Sequence, residues 1–423
     1  MDRANGGRIL RTIGFLLAAA TAARAEPLTP LQAAQARDRI RRDLYIPDPL
    51  PALDAQVRRQ FRPAPGVVGE AVTYATQFGT RVPAILYRPD PLPAGRLPAL
   101  VIVNGHGGDK YSWYAFYSGI LFARAGALVL TYDVTGEGER NIDGRSNTRA
   151  HDAVQGDEEL GRRMNGFMLT DIMQGISYLL SRPETDPARV GVCAFSMGSL
   201  LAAEEGAIDD RAHVMALAGG GNLTVGPGHW DTGHLICQGW AYQSLAFLGD
   251  RPATLFALQA DRGPMLIWNG LGDTVVDIPH TGPDFFRDMR DRTVARHGSA
   301  RNVFEYGFTP VGSHRPYFLI RPAALWLERQ LHFPNWTEEG VRTMPETHVS
   351  AWAKANGVAI DAASATELRE GGERAVGANI PGYPRDELSV FSKAEWPAAK
   401  APYLLETWVA AARVAERAER HAN

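Results

Sequence analysis

Three polar residues stand where apolar runs break off, and their types fit one kind of chemistry. Ser196 lies in Asp186-Pro-Ala-Arg-Val-Gly-Val-Cys-Ala-Phe-Ser-Met-Gly-Ser199, a strand-like run that turns into a stretch of small residues with helical character. A serine hydroxyl is a weak nucleophile at neutral pH. It needs a base to take its proton and a carboxylate to hold that base. Downstream, Pro264-Met-Leu-Ile-Trp-Asn-Gly-Leu-Gly-Asp273 is an apolar strand ending in a Gly-rich turn, with Asp277 as a second carboxylate nearby. Further on, Phe304-Glu-Tyr-Gly-Phe-Thr-Pro-Val-Gly-Ser-His314 places a histidine in the loop after another strand. A serine, a carboxylate and a histidine are the parts of an acyl-transfer site.

The Ala194-Phe-Ser196-Met-Gly198 turn resembles the nucleophile elbow of the α/β-hydrolase family, G-x-S-x-G, with Ala194 where that family usually has Gly. The partners then follow in the family's order, Ser, Asp, His. Gly270-Leu-Gly-Asp273-Thr-Val-Val276 is similar to the family's segment for the acid, which favours Asp273 over Asp277, and His314 falls in the family's place for the base. His280 lies near Asp273 in sequence and is expected at the same cleft. The resemblance also implies an oxyanion hole, with one backbone donor at Met197 and the other at Gly107 or Gly108 of the Asn104-Gly-His106-Gly-Gly108 loop. Thr131-Tyr-Asp133-Val-Thr-Gly-Glu-Gly-Glu139-Arg140 resembles a charged element of many esterases and peptidases of this fold; an ion-pair network is the expected role for Asp133, Glu139 and Arg140.

Residues 219–263 occupy the place of a cap over the cleft and carry His229, Trp230, Asp231, His234, Trp240 and Tyr242. Trp230 and Trp240, with His106, are the candidates for contact with substrate, by stacking on a sugar or aryl group in the case of the tryptophans. His229, Asp231 and His234 offer donor types suited to zinc, but their spacing is loose, and neither metal nor organic cofactor is expected. Within the fold, the charged element and the His314-Arg-Pro loop look closest to bacterial acetyl xylan esterase-like and dienelactone hydrolase-like proteins. The resemblance implies a carboxylic ester hydrolase. A serine peptidase of prolyl oligopeptidase type and a catalytically silent binding protein are the rivals.

These residues need rigid elements behind them. Apolar runs at Ala99–Asn104, Ala127–Tyr132, Val190–Ala194, Val214–Ala218, Met265–Asn269 and Val303–Tyr306 are separated mostly by helical patterning, with clear helices at Phe167–Leu180, Gly198–Glu205, Asp284–Arg296 and Pro322–Leu331. Near-continuous Val/Ile/Leu runs mark strands covered on both faces. The alternation predicts an α/β fold with a mostly parallel, doubly wound sheet and helices on both faces. A hairpin of two β-like runs around Phe78-Gly79-Thr80 opens it. Residues 26–66 are expected to form a helical arm, 67–332 the hydrolase domain, and 333–423 a C-terminal extension containing a helix from Leu404 to Arg420.

The first 25 residues have the pattern of a leader. Arg3, Arg8 and Arg11 precede an apolar run from Thr12 to Ala22 and an Ala23-Arg24-Ala25 cleavage signal. That run falls well short of the ~20 apolar residues a membrane helix needs. Export to the periplasm or beyond is the expectation. Over 423 residues the formal net charge is -3, with 44 Lys+Arg against 47 Asp+Glu, so nothing in the charge calls for nucleic acid as partner. A small-molecule or carbohydrate ester fits better. The two cysteines, Cys193 and Cys237, allow one disulfide at most and no disulfide framework.

Overall fold

The computed structural model describes residues 26–154, 156–223, 238–360 and 373–422. The leader, His229, Trp230, Asp231, His234 and Cys237 lie outside the described residues.

Nine strands form one sheet: β1 Gln56–Ala64, β2 Val67–Ala75, β3 Arg81–Pro89, β4 Leu97–Val103, β5 Leu128–Tyr132, β6 Thr185–Phe195, β7 Val214–Ala218, β8 Met265–Gly270 and β9 Glu305–Thr309. Their spatial order is β1-β2-β3-β5-β4-β6-β7-β8-β9. The β1–β2, β2–β3 and β3–β5 pairs are antiparallel and all later pairs are parallel. Every loop that follows a parallel strand therefore leaves from the same edge of the sheet, where open α/β sheets place their ligands.

The six expected parallel runs and the hairpin appear as strands. Residues 56–64 differ, since the sequence reading placed them in a helical arm. Gln56-Val-Arg-Arg-Gln-Phe-Arg is an edge strand whose residues are mostly exposed, so no apolar alternation marks it. The arm itself is α1, Pro30–Asp43, started by Thr29, whose hydroxyl accepts from the Gln32 N–H at 3.2 Å while the Gln32 side chain returns the bond.

Side chains on the two faces of β4 show how the layers are filled. Leu97, Ala99, Val101 and Val103 belong to one core, with α1, α3 (Glu158–Ser181), α4 (Met197–Ile208), α5 (Arg251–Ala260) and α6 (Ile278–His297). Leu100 and Ile102 point into the other, with α2 (Trp113–Ala125) and α7 (Arg321–Leu331). Helix α2 escaped the sequence reading. It is buried almost all round, so it lacks the polar face that would reveal its period.

The C-terminal segment contributes to both cores. Trp352, Phe391 and Tyr403 join the α2 side, whereas α8 (Leu405–Ala422) inserts Trp408 on the α3 side. Trp408 is fully buried, stacks on Phe167 at 4.6 Å and 10°, and aims its indole N–H at Gln77 Oε1. Trp408→Ala should lower unfolding stability by about 3 kcal/mol, because α8 can settle only partly into the space left. A urea midpoint unchanged from the parent would show that this helix merely rests on the surface.

Candidate active site

The turn after β6 explains how a serine comes to face the cleft. Ser196 has φ 57 and ψ -123, a conformation a non-Gly residue holds only when its surroundings impose it. They do so here. The Ser196 N–H donates to the Ala218 carbonyl of β7 at 2.9 Å. A Cβ on Gly198 would lie 2.7 Å from the carbonyl oxygens of Val103 and Asn104, so only glycine lets α4 approach β4 this closely. Ala194, fully buried, takes the place of the family's first Gly without opening the turn. Ser196 also occupies the N-cap position of α4, yet its hydroxyl makes no cap hydrogen bond. It turns instead to His314.

The hydroxyl donates to His314 Nε2 at 2.8 Å, and His314 Nδ1 donates to Asp273 Oδ2 at 2.8 Å. The tautomer follows from the carboxylate, which can only accept: Nδ1 carries the proton and Nε2 offers its lone pair. Asp273 is fully buried. Its other oxygen accepts the backbone N–H groups of Val275 at 3.0 Å and Val276 at 3.3 Å, so the carboxylate is held from both sides. Asp277 is not part of this chain. It pairs with His280, which is exposed. Sequence reasoning passed over Arg315, a buried guanidinium whose Nη1 donates to the His314 carbonyl at 2.7 Å and braces the loop.

Next to the nucleophile, the loop after β4 lies close: a Cβ on Gly105 would come within 3.0 Å of Ser196 Cβ. The Gly108 N–H closes a turn onto the Gly105 carbonyl at 2.8 Å and is spent there. Gly107, at φ +84, keeps its N–H without an intramolecular partner among the described residues and accepts at its carbonyl from the Asn147 N–H at 3.0 Å. Of the two glycines named from sequence, Gly107 retains donor capacity and Gly108 does not. Met197 is the first residue of α4, directly after Ser196.

Behind the loop lies a charged network that is almost entirely buried. Lys110 Nζ meets Asp133 and, at 2.7 Å, Glu139. Burial works against the ammonium, but those two carboxylates outweigh it and hold its pKa above the ordinary lysine value. Asp133 also accepts the N–H groups of Lys110 and Glu139, and Glu139 accepts those of Val390 and Phe391, both at 2.9 Å. Arg140 reaches Asp171 on α3 and lies over the Phe167 ring at 4.8 Å. The charged element is thus an ion-pair network, and its unforeseen partners are Lys110 and the backbone of the C-terminal segment.

Trp240 is 37% exposed and lies over Gly161 at the start of α3. His106 turns to Asp152, its Nε2 2.8 Å from Oδ1, and its ring faces that of His151 at 4.9 Å. Cys193 is a buried free thiol in β6, and burial pushes it well above its usual pKa.

No family model and no curated protein sequence matches this chain. Solved structures do. A methylesterase aligns with 93% of this chain and 76% of its own length, at 18% identity and a TM-score of 0.59. An acetyl xylan esterase from Thermoanaerobacterium sp. aligns with 74% of this chain and all of its own, at 16% identity and a TM-score of 0.45. The first likeness shows a shared fold.

Proposed function

We propose that this chain, an α/β-hydrolase by fold, is an exported serine esterase that cleaves carboxylic esters, with acetylated carbohydrate as its substrate class. The observation that carries the reading is the unbroken line from Ser196 Oγ through His314 to Asp273, set at the ends of parallel strands beside a glycine loop.

In this reading Ser196 Oγ attacks the acyl carbon while its proton passes to His314 Nε2. Asp273, already bonded to Nδ1, stabilises the imidazolium that forms. The carbonyl oxygen gains charge and is held by the backbone N–H groups of Met197 and Gly107. His314 then returns the proton to the leaving alcohol, and the acyl group stays on Ser196. Water repeats the sequence from the other side: His314 takes its proton, the acid leaves, and Ser196 regains its hydrogen. None of these steps needs a group that the side chains and backbone do not supply.

That a methylesterase shares the fold supports an ester rather than an amide, and the leader pattern of residues 1–25 supports export. The test is a panel of p-nitrophenyl esters, acetylated xylo-oligosaccharides and aminoacyl-anilides offered to the purified mature protein. Ester turnover should exceed anilide turnover at least about 100-fold, since the amine of an amide is a far poorer leaving group. Faster anilide cleavage would identify a peptidase. Silence on the whole panel would identify a binding protein.

A further inference from the structure

Beside the loop after β4, but outside the Ser196–His314–Asp273 line, three side chains converge that none of the proton transfers above uses. His106 comes from the loop after β4, and His151 and Asp152 from the short helical turn Ala150–Val154 that leads into α3. Their nearest ligand atoms, two imidazole nitrogens and one carboxylate oxygen, all lie within 4.8 Å of one another.

The arrangement of protons around His151 is the telling part. Its Nδ1 lies 3.2 Å from the Thr135 carbonyl, which can only accept, so Nδ1 carries the hydrogen. Nε2 is then a bare lone pair. It is fully buried, has no hydrogen-bond partner, and lies 3.7 Å from Asp152 Oδ1. A buried lone pair without a donor, set toward a carboxylate, is unfavourable and is relieved by a cation between them.

We propose that His106, His151 and Asp152 bind one divalent transition-metal ion, zinc being the closest match. Two imidazoles and one carboxylate form a donor set that suits such ions, with the remaining position left for water. Bonds of about 2.0–2.1 Å would place tetrahedral neighbours roughly 3.3 Å apart. The observed 2.8 Å from His106 to Asp152 and 3.7 Å from His151 to Asp152 lie on either side of that spacing, and the pair of imidazole nitrogens lies within 4.8 Å, so the rings close in slightly on an ion. The carbonyl that orients His151 is the outer partner metal-binding histidines commonly have. Side-chain exposures of 17% at His106 and 27% at Asp152 give an ion a way in. Once bound, the ion ties the Gly105–Gly108 loop to the segment ahead of α3.

Tag-free mature protein, stripped with chelator and dialysed against zinc chloride, should retain one zinc per chain by elemental analysis and gain thermal stability. Asp152→Asn and His151→Gln should each weaken zinc binding at least about 100-fold, the upper end of what loss of a mere supporting hydrogen bond costs, and abolish the gain in stability. Asp152 is partly exposed, so its variant tests the site even if the His151 variant fails to fold. The His229→Ala/His234→Ala variant should keep the ion. Magnesium and calcium, which prefer oxygen donors alone, should not displace it. No retained zinc, zinc lost with His229 and His234 rather than with Asp152, or displacement by calcium would each overturn the proposal.

Discussion

Ser196→Ala should reduce kcat on any ester the protein cleaves by about 10⁵- to 10⁶-fold, the scale seen when a serine nucleophile is removed from a hydrolase of this chemistry. At 1.36 kcal/mol for each factor of ten, that is about 7–8 kcal/mol of lost transition-state stabilisation. The size reflects a change of pathway. Without Oγ, no acyl-enzyme forms, and His314 has only water to activate. Substrate should still bind, so KM is expected to move little. His314→Ala should cost nearly as much, and the double variant no more than either alone, because the two side chains act in one proton transfer. Steady-state rates, with a fluorophosphonate probe counting reactive serines, decide the matter. An alanine variant retaining a tenth of the parental rate would sink the mechanism.

The second large effect is on stability. Lys110→Met should destabilise the protein by about 3–5 kcal/mol, because it removes the cation that Asp133 and Glu139 share and leaves two carboxylates in the dry interior. Burial already raises the Asp133 pKa to about 6 with the lysine present. Without it, folding would require protonated acids, so the loss should shrink as the pH falls toward 5, where protonation costs less. Adding Asp133→Asn and Glu139→Gln to the lysine variant should recover part of the stability, since neutral partners carry no desolvation cost of charge. Thermal melts of the three proteins at pH 5 and pH 8 test this. Equal melting temperatures for parent and Lys110→Met at pH 8 would refute it.

Ser196, Asp273 and His314 could be named as candidates because each follows a run of mostly apolar or aromatic residues, Val190–Phe195, Met265–Trp268 and Phe304–Phe308, and because small residues flank Ser196. The parallel strands were legible for the same reason. Other features left no local trace. Strand β1 sits at an edge with Arg and Gln exposed, so its pattern is that of a loop. Lys110 reads as one more surface lysine until Asp133 and Glu139 are folded around it. His151 and Asp152 stand in an irregular stretch with no spacing relative to His106 that a motif would register; only the fold joins them. That the Gly108 N–H bonds to the Gly105 carbonyl is a detail of turn geometry that composition does not encode.

The bonds from Glu139 to Val390 and Phe391 span 251 and 252 residues of chain. They set a schedule for folding. While the chain is being synthesised, the carboxylate that helps neutralise Lys110 waits for backbone partners 251 and 252 residues further along. Contacts so distant in sequence slow folding. The network behind residues 105–108 is therefore complete only once residues 390 and 391 are in place, and a chain cut before them carries Ser196, Asp273 and His314 with that support unfinished.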